Sequence, residues 1–247
     1  MTIALELLAG AFIGAVLGFV GAGGAMLSVP ILIYLFNVAP HQATVSALAI
    51  VLSAALSGLI PKIRKREVLY KDAAIIWAIG SISNIWLAHV AEHISERFIT
   101  TGFALVLILA GSTMLFPPRY AEMKRMSWPT LILISLLIGS MTGLFGIGGG
   151  FLAIPVLVLA FNTPQAIAAG TSLLIIALNS ATALIAHQRV WSEIEWRAPF
   201  FMAVAAVIVA LWASHHSSKT NPVILRKSFA GLLYSISLFT LVKTWFI

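Results

Sequence analysis

Residues 139–157 read GSMTGLFGIGGGFLAIPVL, and residues 14–32 read GAVLGFVGAGGAMLSVPIL. At an offset of 125, Gly14, Gly18, Gly21, Gly23, Gly24, Leu27, Pro30 and Leu32 fall on Gly139, Gly143, Gly146, Gly148, Gly149, Leu152, Pro155 and Leu157. The register continues, laying Phe36, Asn37, Ala43, Ser46 and Leu48 on Phe161, Asn162, Ala168, Thr171 and Leu173. Shared composition alone does not hold one register over such a length, so the chain is a tandem duplication. In each copy a glycine run interrupts an apolar helix and a short proline-bearing helix follows, at 25–36 and 150–161. At 1.5 Å per residue these pieces reach only ~18 Å, short of a hydrocarbon core of about 30 Å. They are half-helices.

Around the breaks lie longer apolar segments at 3–20, 43–60, 72–90, 98–116, 128–145, 166–186 and 198–214, with an eighth at 228–246. Each approaches the length of a transmembrane helix. Of the 247 residues 60% are hydrophobic and only 9% charged, and the mean hydropathy is +1.03. Soluble chains carry roughly 25% charge, which they need to cover their surface. The expectation is an all-α polytopic membrane protein with the lipid bilayer as its solvent. Its two repeats, 1–116 and 128–247, are joined by a cytoplasmic linker at 117–127. Each holds a Gly-broken, re-entrant or discontinuous helix pair plus three transmembrane helices. The N-terminus has no basic region before its apolar run, so it reads as a first helix and not as a cleaved leader.

The net charge of +7 belongs to short connecting stretches, where it sets topology; no nucleic-acid partner is implied. Residues 62–71, KIRKREVLYK, hold five cations and one acid, whereas 89–97, HVAEHISER, hold two acids and one cation. The first loop is therefore expected inside, with the linker carrying Arg119, Lys124 and Arg125. In the second repeat the bias moves to the other loop: 187–197 is balanced, and 215–227 carries Lys219, Arg226 and Lys227 with no acid. An odd number of crossings per repeat satisfies all five loops and inverts the repeats relative to each other.

No Lys, Arg, Asp or Glu stands at the centre of a span. Midplane ionisable groups normally mark proton relays and ion paths, so the groups left to bind a ligand are neutral. Unwound backbone at membrane depth survives only where protein buries it or a wet cavity meets it. There the new half-helix offers free N–H groups and the positive end of its dipole, which suits an anion. The expected substrate contacts are the backbone around Gly23, Gly24 and Ala25 and around Gly148, Gly149 and Gly150, with Ser46, Thr171, Ser172 and Asn179 nearby. Asn179 and the mid-span Asn84 are either ties between helices or ligands. Asn37 and Asn162 read as C-terminal caps of the half-helices. His41 and Gln42, beginning a span, and His187, ending one, are candidates for gating or proton coupling. Close packing through small residues is the competing reading of the glycines, and Gly10, Gly14 and Gly18 have that spacing. Neither glycine run leads into Gly-Lys-Ser/Thr, so a nucleotide loop is not expected. The chain has no cysteine, and no metal or cofactor is expected.

At these residues the chain resembles the sulfite exporter TauE/SafE family, also called TSUP, of duplicated bacterial membrane permeases. The match is closest over 139–157 and the following PQAIAAGTSL at 164–173. The first repeat departs from it: Ala25 stands opposite Gly150, and Thr44-Val45-Ser46 replaces Ala169-Gly170-Thr171. The resemblance implies transport of sulfite, thiosulfate, sulfoacetate or a related oxidised sulfur compound across the bacterial inner membrane. A cysteine relay for thiosulfate, as in a related group, is excluded by the absence of cysteine. Besides a secondary transporter working by alternating access, the sequence admits an anion channel on the same site. A hydrolase using Ser172 and His187 is disfavoured, since the two lie about 22 Å apart along one helix.

Overall fold

The computed structural model describes residues 2–91, 94–115, 127–145, 150–161, 163–217 and 219–246. Its elements among these are all helical: α1 (Ile3–Val20), α2 (Gly24–Pro30), α3 (Pro40–Arg64), α4 (Tyr70–Ala91), α5 (Glu96–Leu115), α6 (Trp128–Phe145), α7 (Gly150–Phe161), α8 (Gln165–Ala186), α9 (Arg197–Ser217) and α10 (Pro222–Phe246). All eight apolar segments are occupied by helices. Among the described residues, six helices are long and apolar enough to cross a membrane: Ile3–Val20, Pro40–Arg64, Arg97–Leu115, Gln165–Ala186, Arg197–Ser217 and Val223–Trp245. Leu8, Ile82, Trp86, Phe98, Leu109 and Leu238 point outward from the bundle, an apolar surface of the kind that lies against lipid.

The duplication is visible in the elements. Shifted by 125, the bounds of α1 become those of α6, and the start of α3 becomes the start of α8. Both half-helices end on the same hydrogen bond, from Val38 N–H to the Leu32 carbonyl at 3.0 Å and from Thr163 N–H to the Leu157 carbonyl at 3.1 Å. This closure reaches one residue further back than the bond of a Schellman cap, and like that cap it turns on a left-handed residue. Asn37 supplies the left-handed residue that it needs, with φ 53°; Asn162 lies outside the described residues. The expected half-helix over 25–36 is in two parts, because α2 stops at Pro30 and a π-helical turn, Ile31–Leu35, follows. Proline lacks the N–H that would continue the ladder, and a wider turn is one way to absorb the lost bond.

Packing follows the small residues. Gly10, Gly14 and Gly18 of α1 face Met202, Ala206 and Ala210 of α9, in that order, so closely that a Cβ on any of the three glycines would overlap the α9 backbone. The two helices therefore run parallel. The counterpart pair α4–α6 packs in the same way, with Gly139 against Gly80 and Ser83 Oγ donating to the Leu136 carbonyl at 3.0 Å. Repeat-equivalent helices also meet one another, but antiparallel. In α3–α8 Gly58 faces Leu173, and Lys62 faces Gly170. In α5–α10 Ser237 Oγ donates to the Ala104 carbonyl at 3.0 Å, and Thr244 Oγ1 to Thr100 Oγ1 at 3.1 Å.

Two apolar clusters hold the bundle, and each draws on both halves of the chain. One joins Val20 and Met26 to Leu107, Ile154 and Phe229. The other joins Ile13, Leu32 and Ile50 to Leu173, Met202 and Ala206. Several hydroxyls inside the bundle donate to their own helix four residues back, as Ser53, Ser135 and Thr142 do. That satisfies them where no water is available.

Candidate functional site

The first glycine run ends α1 and starts α2 without side-chain caps. Gly21 adopts φ 83° and closes α1 with its N–H on the Leu17 carbonyl at 2.7 Å; Gly23, at φ 87°, precedes α2. Both conformations are left-handed, which glycine reaches without strain. The first bond of α2 runs from Leu27 N–H to the Gly23 carbonyl, leaving the N–H groups of Gly24, Ala25 and Met26 without partners inside the helix. Gly21 rests on Ala169, and Gly24 on the Leu17 side chain. The break therefore abuts the start of α8, in the other repeat. Gly148 and Gly149 lie outside the described residues, and Gly150 opens α7.

The broken pair travels inward and returns. Glu6 near the start of α1 lines the same cavity as Phe36, Asn37 and Val38, which follow α2. This cavity measures about 480 Å³, and its other walls are Ala39, Gln42 and Ser46 of the first repeat and Ile194, Glu195, Arg197, Ala198 and Pro199 of the second. Gln42 and Ser46, one turn apart on α3, both line this cavity. Ser46 is fully buried, and its Oγ has no hydrogen-bond partner; neither has Glu6 Oε2. His41 stands close by, exposed, with Nε2 3.2 Å from Glu193 Oε2. Buried polar atoms without partners are uncommon and usually signal a ligand, an ion or water.

A second, smaller cavity of about 50 Å³ is lined by Phe19, Lys62, Gln165, Ala166, Ala169, Ser217, Thr220 and Leu225. It lies at the opposite ends of α1, α3 and α9. Both polar atoms of the Gln165 amide are buried there without partners. Lys62 is only 1% exposed and pairs with Glu67 at 2.8 Å. Thr171 stands beside this pair: its Oγ1 donates to the Ile167 carbonyl at 2.7 Å and accepts the Leu69 N–H at 3.1 Å. The Glu67 carbonyl sits against Gly170, where a Cβ would displace it.

The expected residues are therefore spread over several places. Gly58, not Ser46, is level with Leu173 in α3–α8, so Ser46 and Thr171 stand near opposite ends of that pair. Along α3 the twelve residues from Ser46 to Gly58 span about 18 Å. Ser172 is buried next to Thr171. Asn179 meets Asn84 in a third cavity, of about 10 Å³, between α4, α6 and α8. That is roughly the room of one water molecule, which suits a tie between helices better than a ligand site. His187 is exposed at the end of α8, with Nδ1 on the Ala183 carbonyl at 2.8 Å, and nothing places it near Ser172. Glu6, Lys62, Gln165 and Arg197 are polar cavity residues that sequence reasoning did not single out. Their positions at span ends resemble ordinary interfacial residues, and only the bundle brings them to a cavity wall.

Across residues 6–240 the chain matches the model of the family described as Sulfite exporter TauE/SafE. It is 25% identical over 248 residues to a "Probable membrane transporter protein" of Xylella fastidiosa (strain 9a5c), covering 96% of this chain and 94% of that protein. It is 24% identical over 223 residues to "Probable membrane transporter protein YunE" of Bacillus subtilis (strain 168), covering 79% of this chain and 81% of that one. A match of this extent, on a helical bundle with a cavity at each end, makes the chain a multi-pass membrane transporter of the sulfite exporter TauE/SafE family.

Proposed function

We propose that the chain is a secondary transporter for a small anion, sulfite or a related oxidised sulfur or organosulfonate compound, in the bacterial inner membrane. It works by alternating access between two inverted repeats. The observation that carries this reading is the pair of cavities at opposite ends of α1, α3 and α9, separated by the closely packed Gly and Ala seam. Alternating access needs a wide opening at one end and a sealed one at the other. The antiparallel contact of α3 with α8 and of α5 with α10 supports inversion, because an axis in the membrane plane reverses every helix it relates. With residues 62–71 inside, the smaller cavity faces the cytoplasm and the larger one faces out.

The anion enters beside Arg197, Gln42 and Ser46. Its further contacts are the N–H groups at the two breaks, Gly23–Ala25 and Gly148–Gly150, together with Thr171 and Ser172, while Asn179 serves as a tie to Asn84. A helix start of this kind attracts an anion without a fixed cation in the membrane. His41, paired with Glu193 and next in the chain to the lining residue Gln42, fits gating better than His187, whose neighbours in the chain line neither cavity.

Purified protein in proteoliposomes loaded in turn with sulfite, thiosulfate, sulfoacetate and sulfate tests the reading. Saturable flux with counterflow is expected for at least one of the first three. Flux of none of the four rejects the substrate class, and large currents without saturation replace the carrier with a channel.

A further inference from the structure

The duplication relates two pairs of residues. Thr171 is Ser46 shifted by 125, and Ile194 is Leu69 shifted by 125. At one end of the bundle the first repeat is tied to the second: Thr171 Oγ1 accepts the Leu69 N–H at 3.1 Å. The Glu67 carbonyl seats against Gly170, and the Lys62–Glu67 ion pair holds the same turn at 2.8 Å. At the other end the equivalent partners line one cavity, and no hydrogen bond joins them. Ser46 is fully buried with its Oγ unpartnered. Ile194, extended at φ −89° and ψ 129°, lines the same cavity of about 480 Å³.

We propose that these are the two halves of one gate: when the large cavity closes, Ser46 Oγ accepts the Ile194 N–H, and the Thr171–Leu69 bond at the far end is released. This rests on the alternating-access reading above and names the residues that execute it. A buried hydroxyl without a partner is costly, and in this state Ser46 is such a hydroxyl, poised for a bond that its repeat-equivalent already makes. The turns differ in a way that sets the resting state. Gly170 lets the Glu67 carbonyl come close, whereas its equivalent Val45 is buried and bulkier. Closure is therefore tighter at the Thr171 end, and the cavity beside Ser46 is the one left open at rest.

The chain has no cysteine, so paired cysteines can be placed in the otherwise native protein. In proteoliposomes under mild oxidation, Leu69→Cys/Thr171→Cys is expected to cross-link rapidly without substrate. Ser46→Cys/Ile194→Cys should cross-link more slowly by roughly ten-fold, as a minor state of a two-state carrier would. Each cross-link should abolish flux, and reduction should restore it. A second measurement avoids the paired variants and reads labelling of a single cysteine, Gln42→Cys, in the wall of the large cavity. Thr171→Val should slow it, Ser46→Ala should speed it, and Thr171→Ser should leave it unchanged. Equal cross-linking of both pairs, flux that survives either cross-link, or labelling indifferent to Thr171→Val would overturn the gate while the native protein still transports. Absence of flux in the native protein for every anion tested rejects the substrate class instead, whatever the cross-linking pattern.

Discussion

At the scale of single residues, two glycines of similar sequence context do different work. Gly14 is needed for space, because the Ala206 backbone of α9 lies where its Cβ would be. Gly23 has room around it, with the nearest side-chain atom 3.4 Å from the position a Cβ would take, but it adopts φ 87°. Gly14→Val should therefore destabilise the solubilised protein by about 3 kcal/mol or more, as overpacking does. Gly23→Ala should cost only about 1–2 kcal/mol, the strain of a left-handed residue. Gly231→Ala, with nothing within 4 Å, serves as a control with no loss in a thermal melt. The Lys62–Glu67 pair allows a second test. With Lys62 1% and Glu67 17% exposed, Lys62→Met leaves a half-hidden carboxylate unpaired and should cost about 3 kcal/mol. The double variant Lys62→Met/Glu67→Gln should recover most of that loss; equal losses for single and double variants would show that the pair contributes nothing specific.

At the scale of elements, the half-helices were legible in the sequence because their signals are local. Glycine runs at Gly21–Gly24, a proline at Pro30 and an asparagine at Asn37 each act on their own stretch of backbone. The structure returns the left-handed glycines, the ended ladder and the left-handed cap at those positions. The π-helical turn at Ile31–Leu35 was not legible, since proline announces a lost bond and not how the next turn absorbs it. Asn37 at φ 53° yields a further prediction. Asn37→Gly should fold and melt as the native protein does, while Asn37→Val should lose about 1–2 kcal/mol, because β-branched residues resist this conformation. A melt in which Val equals Gly would remove the cap from the argument.

At the scale of the whole molecule, the cavity of about 480 Å³ and the lipid-facing surface make opposite predictions for the same chemistry. A bulky thiol reagent on Gln42→Cys should block flux almost completely. The same reagent on Leu109→Cys, which is 66% exposed on the outer face of α5, should leave flux near its native level. Orientation is open to a related measurement: a membrane-impermeant label should reach Arg66→Cys only from the side facing the cytoplasm. Labelling from the other side would reverse the assignment of both cavities.

The sequence by itself determined that the chain lives in a membrane, that it is a duplication, and where each half breaks its helices. These follow from composition, periodicity and local backbone chemistry, which need no partner. Only the tertiary structure decided which residues face one another. Ser46 and Thr171 are equivalent in sequence, yet one faces an open cavity and the other is bonded to Leu69. Glu6 and Lys62 stand at span ends, yet both are buried. The physical reason is that repeat-equivalent helices pair antiparallel, which carries matching residues to opposite ends of the bundle, and no pattern along one chain records what packs across from it.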